Sequence, residues 1–308
     1  MNILLTAIGS AAAKDAQKAL KKAKHKVYGC DIYPKQWLWG ASGFAEVFQV
    51  PLAKESGFAD ALLEIAEKQH IDMIIPLTDL ECDVLAPEKA RFAEQGIHLA
   101  CLDAPLQAIC RNKLRLPERL CSICTTIPSF PRDAQLNEGF PYLLKPNKGR
   151  SSQHQLIARS KEELAAFRSL RSDYIIQPYI KGSVFTVDAV RDSMGGCMCL
   201  VRKELLRTVN GLGTTVECYK AHELEEICAH ILQELDIIGT VNLEFIQAEE
   251  QYYFLEINPR FSGGIGFSRM AGYDFVNAHV RAHLGKAISL EHKKKNRLIV
   301  QGYKKKIQ

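Results

Sequence analysis

Two apolar runs, Gly239–Gln247 and Gln251–Ile257, are separated only by Ala248-Glu249-Glu250, and each holds one acid among large hydrophobic residues. Runs this short, rich in Val, Ile, Leu, Phe and Tyr and broken by a brief polar stretch, predict a β-hairpin. Glu244 lies between Leu243 and Phe245, and Glu256 lies between Leu255 and Ile257. Side chains alternate between the faces of a strand, so Glu256 and Asn258 share a face, and pairing is expected to bring Glu244 to them. Carboxylates on apolar strands are costly unless something compensates them. Magnesium is the natural partner, a hard ion that takes a few carboxylates and completes its shell with phosphate oxygens and water. Pro259-Arg260 follows directly and supplies a planar, permanently charged donor suited to phosphate or a developing oxyanion.

The first hundred residues have a different rhythm. Strands expected at Ile3–Ile8, Lys26–Asp31, Asp72–Pro76 and Ile97–Cys101 alternate with helices over Ala11–Ala23, Ala59–Lys68 and Ala86–Gln95. That alternation implies an α/β unit with a parallel sheet and right-handed crossovers. Ligands of such sheets gather at the carboxyl ends of the strands, here Gly9-Ser10, Asp31 and Leu77–Glu81. The stretch Ala7-Ile8-Gly9-Ser10-Ala11 lacks the GxGxxG pattern, so a nicotinamide enzyme is not expected. Thr78, Asp79 and Glu81 read as groups facing a substrate amine or hydroxyl, or else Thr78 or Asp79 caps a following helix. The remainder predicts an α+β order. A helical segment Leu106–Leu120 precedes strand Phe140–Pro146 and the charged loop 147–152. Helix Lys161–Ser169, strand Tyr174–Gln177, strands Phe185–Arg191 and Cys197–Lys203, and helix His222–Leu235 then lead to the hairpin.

Charge and cysteine usage exclude other classes. The net charge of +5 is concentrated in residues 286–308, where eight Lys/Arg face Glu291 alone. Without aromatic interleaving or an RNA-binding motif this basic segment predicts a solvated face, and no nucleic-acid partner is expected. No run approaches the length of a membrane span, and the N-terminus predicts a first strand, with no basic region ahead of it to suggest a secretory signal. The ten cysteines are scattered through the chain, which fits reduced thiols and a cytoplasmic location. Cys121-Ser-Ile-Cys124 has no second pair to complete a zinc site.

Leu255-Glu256-Ile257-Asn258-Pro259-Arg260-Phe261, with Glu244 upstream, resembles the ATP-grasp superfamily. The chain is most similar to short members resembling one ATP-grasp unit of the carbamoyl phosphate synthetase large subunit. The resemblance implies a Rossmann-like pre-ATP-grasp domain over residues 1–105, a first ATP-grasp lobe over 106–180 and a second lobe with the magnesium site over 181–308. It implies ATP with two Mg2+ ions, replaceable by Mn2+, held by Glu244, Glu256 and Asn258. Arg260 would face the transferred phosphoryl group, and Lys113 and Lys145 would contact the phosphates. Gly149, Arg150, Ser151 and Ser152 match the loop that closes over the triphosphate. Gln177, Pro178, Tyr179 and Ile180 match the segment that holds adenine. Arg202, Lys203 and Arg207 lie where relatives place cations near phosphate or substrate carboxylate.

Two departures stand out from the pattern. Arg150-Ser151-Ser152 replaces the loop's second glycine, and His154 stands where another glycine is common. The family's ribose-gripping Gly-x-Glu reads Gly182-Ser183-Val184, leaving Asp188 or a backbone group for that contact. The implied activity is an ADP-forming carboxylate–amine ligase working through an acyl phosphate on two small-molecule substrates. A kinase-type synthase without an amine acceptor and a non-catalytic ATP-binding sensor remain open, as does a homodimer.

Overall fold

The computed structural model describes residues 1–136, 138–149, 153–290 and 296–302. The chain begins with β1 (Asn2–Leu5), α1 (Ala13–Lys22), β2 (Lys26–Asp31), β3 (Val47–Gln49), α2 (Phe58–Gln69) and β4 (Met73–Ile75). It continues with α3 (Asp79–Leu85), α4 (Lys89–Glu94), β5 (His98–Leu99), α5 (Ala104–Cys110), α6 (Leu116–Leu120) and β6 (Phe130–Pro131). Next come β7 (Tyr142–Pro146), β8 (Leu156–Ala158), α7 (Lys161–Arg168), β9 (Tyr174–Pro178), β10 (Ser183–Arg191) and β11 (Cys197–Arg207). The last elements are β12 (Gly213–Tyr219), α8 (His222–Glu234), β13 (Gly239–Ala248), β14 (Gln251–Asn258), α9 (Ile265–Met270), α10 (Phe275–His283) and β15 (Arg297–Val300).

These strands make three sheets. The first is parallel, in the order β3-β2-β1-β4-β5, as the strand–helix alternation predicts. The second has six strands, β14-β13-β10-β11-β12-β15, and the third has four, β6-β9-β7-β8. Both are antiparallel along their ladders. The first and second sheets share one apolar core, in which Ile3, Leu5, Ile75 and Leu77 meet Val190, Phe261, Ile265 and Phe275. The four-stranded sheet has a small core of its own, built from Tyr142, Leu144, Ala158, Leu164, Tyr174 and Ile176. Helices α5 and α6 pack with the six-stranded sheet, Cys110, Leu116 and Leu120 joining Phe185, Leu243 and Phe254. Phe185, Phe245 and Phe254 are each at most 1% exposed, and full burial of such a ring is worth about 1.5–3 kcal/mol. Among the described residues no helix is long and apolar enough to cross a membrane.

Local chemistry explains where the elements start and stop. Strand β1 ends at Leu5, three residues earlier than its apolar run, because Ala7 turns the chain with φ of 44° toward Ser10. Thr78 closes a capping box with Glu81, so the segment after β4 is helical from Asp79 onward, and the expected Ala86–Gln95 helix is only its continuation. Strands β3, β6, β8, β12 and β15 and helices α9 and α10 have no counterpart in the sequence expectations. Strands β3, β6 and β8 span three residues or fewer, too few to display a period.

Candidate functional site

The acidic hairpin forms, with an irregularity that decides its chemistry. Glu249 and Glu250 make its two-residue turn with φ of 50° and 66°, the left-handed pair that matches strand twist. From that turn the ladder runs Ala248↔Gln251, Gln247↔Tyr252, Ile246↔Tyr253 and Phe245↔Phe254. Continued regularly, it would set Glu244 opposite Leu255 and turn Glu256 to the other face. Instead the register shifts between Glu244 and Phe245, so that Glu244 faces Glu256 and Asn242 faces Asn258. Leu255 is the extra residue of a β-bulge, a device that re-aims side chains beside functional sites. Both acids then share one face.

Cations reach this pair from several other elements. Lys113, between α5 and α6, places Nζ 3.0 Å from Glu256 Oε2 and also donates to the carbonyl of Gly149 at 2.9 Å. Arg207 at the end of β11 lies 3.2 Å from Glu244 and donates to the carbonyl of Gly211. Arg260 donates to Asn258 Oδ1 at 3.1 Å and to Asp79 Oδ2 at 3.2 Å, tying the hairpin to the first sheet through α3. Asn258 donates to Glu256 Oε1 at 3.2 Å. Lys145 on β7 is 5% exposed and feels both acids.

Burial and neighbouring charges drive the two acids of the cluster in opposite directions. Burial, with the adjacent Glu256 charge adding to it, pushes Glu244 up to about 7. Burial also disfavours the Glu256 charge, but Lys113 and Lys145 outweigh it and hold that carboxyl down at about 2. Burial, assisted by Lys113, brings Lys145 down to about 8 despite both glutamates. Two facing carboxylates, one of them driven toward neutrality, make a site that a cation would relieve. The donors are two carboxylates and an amide oxygen, hard ligands fit for magnesium but too few to complete its shell. Among the described residues no group of three or more His, Cys, Asp or Glu could hold a metal, so further ligands would come from phosphate or water.

A cleft opens on each side of the acid pair. One, of about 400 Å³, is lined by Lys113, Lys145, Gly149, Gln177, Pro178, Tyr179 and Ile180 together with Glu244 and Glu256. The other, of about 260 Å³, is lined by Arg202, Asn258, Arg260 and the same two glutamates. Arg207 borders both. The geometry therefore divides the expected site residues into two groups that meet at the acids. In the larger cleft the Gln177 amide donates to Ser129 Oγ at 2.7 Å, and the Tyr179 backbone N–H is bound by the carbonyl of Pro141 at 2.9 Å.

Several expectations need correction. Asp188 lines neither cleft. Its carboxylate is fully buried and held by Arg202 and by Ser268 at 2.5 Å, so it has no face for a ribose. Val184 does line the larger cleft, so the missing ribose carboxylate is missing from the wall itself. Arg202 borders the smaller cleft, but its guanidinium is 1% exposed and bonded to Asp188, Ser262 and Ser268. It supports that wall and does not project into the cavity. Lys203 lies over the Phe185 ring at 5.9 Å, away from both clefts. Arg150, Ser151 and Ser152 lie outside the described residues, as do six of the eight Lys/Arg of the basic segment. His154 holds φ of 56°, the left-handed backbone that a glycine would adopt without strain.

Asp79 and Arg111 join the site without having been singled out as a pair. Both are buried, 3.8 Å apart, and Arg111 also donates to the carbonyl of Lys148. The one sequence signal for Asp79 was its place after the capping Thr78 at a strand's carboxyl end.

Comparison with known proteins bears on the fold. Residues 171–306 match a family model described as ATP-grasp in the biosynthetic pathway with Ter operon, and residues 3–100 match the PylC-like N-terminal domain. A carbamoyl phosphate synthase large chain from Agathobacter rectalis is 26% identical over 165 residues, which is 49% of this chain and 15% of that much longer protein. The biotin carboxylase domain of Hydrogenobacter thermophilus 2-oxoglutarate carboxylase, solved with MgADP and bicarbonate, superposes with a TM-score of 0.77 at 17% identity, covering 94% of this chain and 71% of that one. N5-carboxyaminoimidazole ribonucleotide synthetase from Thermus thermophilus gives 0.75 at 20% identity, covering 97% and 82%. At such identities the likeness establishes the fold.

Proposed function

This chain carries an ATP-grasp domain behind a PylC-like N-terminal domain, and on that premise we propose that it is an ADP-forming ligase joining a small carboxylate to an amine through an acyl phosphate. The observation that carries the reading is the acid pair Glu244–Glu256, faced by cations and standing between two clefts. One cleft suits a nucleotide and the other its acceptor, so that the γ-phosphate would sit at the acids.

In this reading Gln177–Ile180 hold adenine, and Lys113, Lys145 and Gly149 hold the phosphates. Glu244, Glu256 and Asn258 hold Mg2+, which supplies neutralisation of phosphate charge when bound. The substrate carboxylate, oriented by Arg260, attacks the γ-phosphorus, and the bond to ADP breaks. The amine nitrogen then attacks the acyl carbon, losing a proton as inorganic phosphate leaves. Positioning and fixed charge do most of this work, and no nucleophilic side chain is required. MgADP in the H. thermophilus neighbour supports the nucleotide and the metal. We place residues 1–105 as the acceptor-side base, 106–180 as the first nucleotide lobe and 181–308 as the second.

The test is ADP release from Mg-ATP against a panel of acids and amines, singly and in pairs, with Glu256→Gln as control. ADP appearing only with an acid–amine pair, and lost in the variant, supports the ligase. ADP formed with an acid alone would replace it with a kinase-type synthase. Binding of ATP without turnover under any pair would sink both.

A further inference from the structure

The smaller cleft has a neighbour: Ser10, Ala11 and Gly263-Gly264 line both it and a cavity of about 780 Å³ between the first sheet, α1, α9 and the end of β15. Trp39, Met270 and Val300, exposed by 42%, 55% and 67%, all line that cavity. Three large apolar side chains left in water around one cavity mark a binding surface more than a packing remainder. Lys14 and Lys18, one turn apart on α1, line it as well, and neither makes an ion pair with a described residue. Lys14 Nζ lies 5.1 Å from the centre of the Trp39 ring. The acid in the lining, Asp15, is already engaged by Arg269 at 3.2 Å. Ser10, which lines both this cavity and the smaller cleft, has a sheltered Oγ with no hydrogen-bond partner among the described residues.

From these features we infer that the acceptor is an amphipathic anion: an amine whose body carries an apolar or aromatic group and, at its far end, a carboxylate or phosphate. The amine end rests on the ligase reading, and the remainder rests on the outer cavity alone. Trp39, Met270 and Val300 offer area for a ring or chain, with Trp39 supplying a rigid face. Two unopposed ammonium groups favour a negative terminus. Because the two cavities share Ser10, Ala11, Gly263 and Gly264, a ligand reaching across them would turn its nitrogen toward Arg260 and the acids, with Ser10 Oγ free to accept or donate on the way. A cavity of this size is that of a drug-sized ligand, larger than a simple free amino acid would fill.

The chain has two tryptophans, Trp37 and Trp39, so Trp37→Phe protein reports on this cavity through Trp39 emission alone. That protein is titrated with phenyl phosphate, phenylacetate, benzyl alcohol and benzylamine. A saturable change with an anion, and none with the alcohol or the amine, is expected. The tighter of the two anions identifies the terminal group as phosphate or carboxylate. Adding Lys14→Ala and Lys18→Ala, both on the surface, is expected to weaken the anion about fivefold, the scale of two exposed ion pairs. Equal binding of benzyl alcohol or benzylamine, unchanged affinity in the double variant, or no saturable change with any probe would overturn the inference. None of these readings depends on ADP release, so the ligase reading and this one fail separately.

Discussion

Two buried charge clusters lie side by side on the six-stranded sheet and behave in opposite ways. In one, Asp188 and Arg202 neutralise each other, with Ser262, Ser268 and Asn242 supplying further hydrogen bonds. In the other, Glu244 and Glu256 face each other across the β13–β14 ladder while Lys113, Lys145, Arg207 and Arg260 crowd around them. The first cluster is a pair whose opposite charges meet each other, with only Arg202 Nε left without a hydrogen-bond partner among the described residues. The second keeps two like charges together in a partly desolvated place, an arrangement that folding alone does not favour. Burial is therefore no guide to role. Whether the charges are satisfied among themselves separates the wall of the site from its centre.

The comparison can be broken most severely at Asp188. Asp188→Ala leaves the Arg202 guanidinium buried and unpaired, and a loss of about 3–5 kcal/mol in unfolding stability is expected. Urea unfolding measures it, and a loss below about 1 kcal/mol would mean that the cluster is not the neutralised pair described. Glu256→Gln is expected to cost some stability as well, because Lys113 and Lys145 hold that carboxylate charged in the folded state and lose their partner. It also acts on turnover, where removal of one preorganised charge commonly costs about 10²–10³-fold. Unaltered ADP release would remove Glu256 from the centre of the site.

A third experiment sharpens the contrast through pH. Glu244 holds its proton up to about 7 when folded, so its contribution is fully present below the ordinary carboxylate range and is lost as pH rises through 7. Wild-type stability should fall relative to Glu244→Gln between pH 5 and 8, with a slope of at most about 1.4 kcal/mol per pH unit. Mg2+ prefers the charged carboxylate and should close that gap at pH 8. Parallel profiles of the two proteins, with or without the metal, would contradict the placement of Glu244. The smallest effect belongs to Thr78→Ala, which opens the α3 capping box and should cost about 1 kcal/mol. Because α3 also carries Asp79 to Arg260, a modest fall in turnover is expected with it. A thermal midpoint equal to wild type would show that the cap carries no load.

Much of this was legible in the chain before folding. Strand–helix alternation announced the parallel sheet, and the chemical type of Glu244, Glu256, Asn258 and Arg260 announced a cation and a phosphate. Periodicity could not show which residues would meet. Lys113 and Lys145 lie far from the hairpin in sequence and reach it only because α5 and α6 share the core of the six-stranded sheet while β7 stands in the four-stranded one. Asp188 looked available for a ribose because a single strand does not reveal that Arg202, on the neighbouring strand, takes its carboxylate.

The amino-acid order by itself determined the alternating elements of the first sheet, the acidic hairpin and the donor chemistry, since these follow from local spacing and side-chain identity. Only the tertiary structure decided that the two acids would share a face. A two-residue turn followed by a regular ladder sends Glu256 away from Glu244. The extra residue Leu255 shifts the register by one and brings them together. The cause is geometric: side chains alternate with a period of two, so one bulged residue exchanges the faces of everything beyond it.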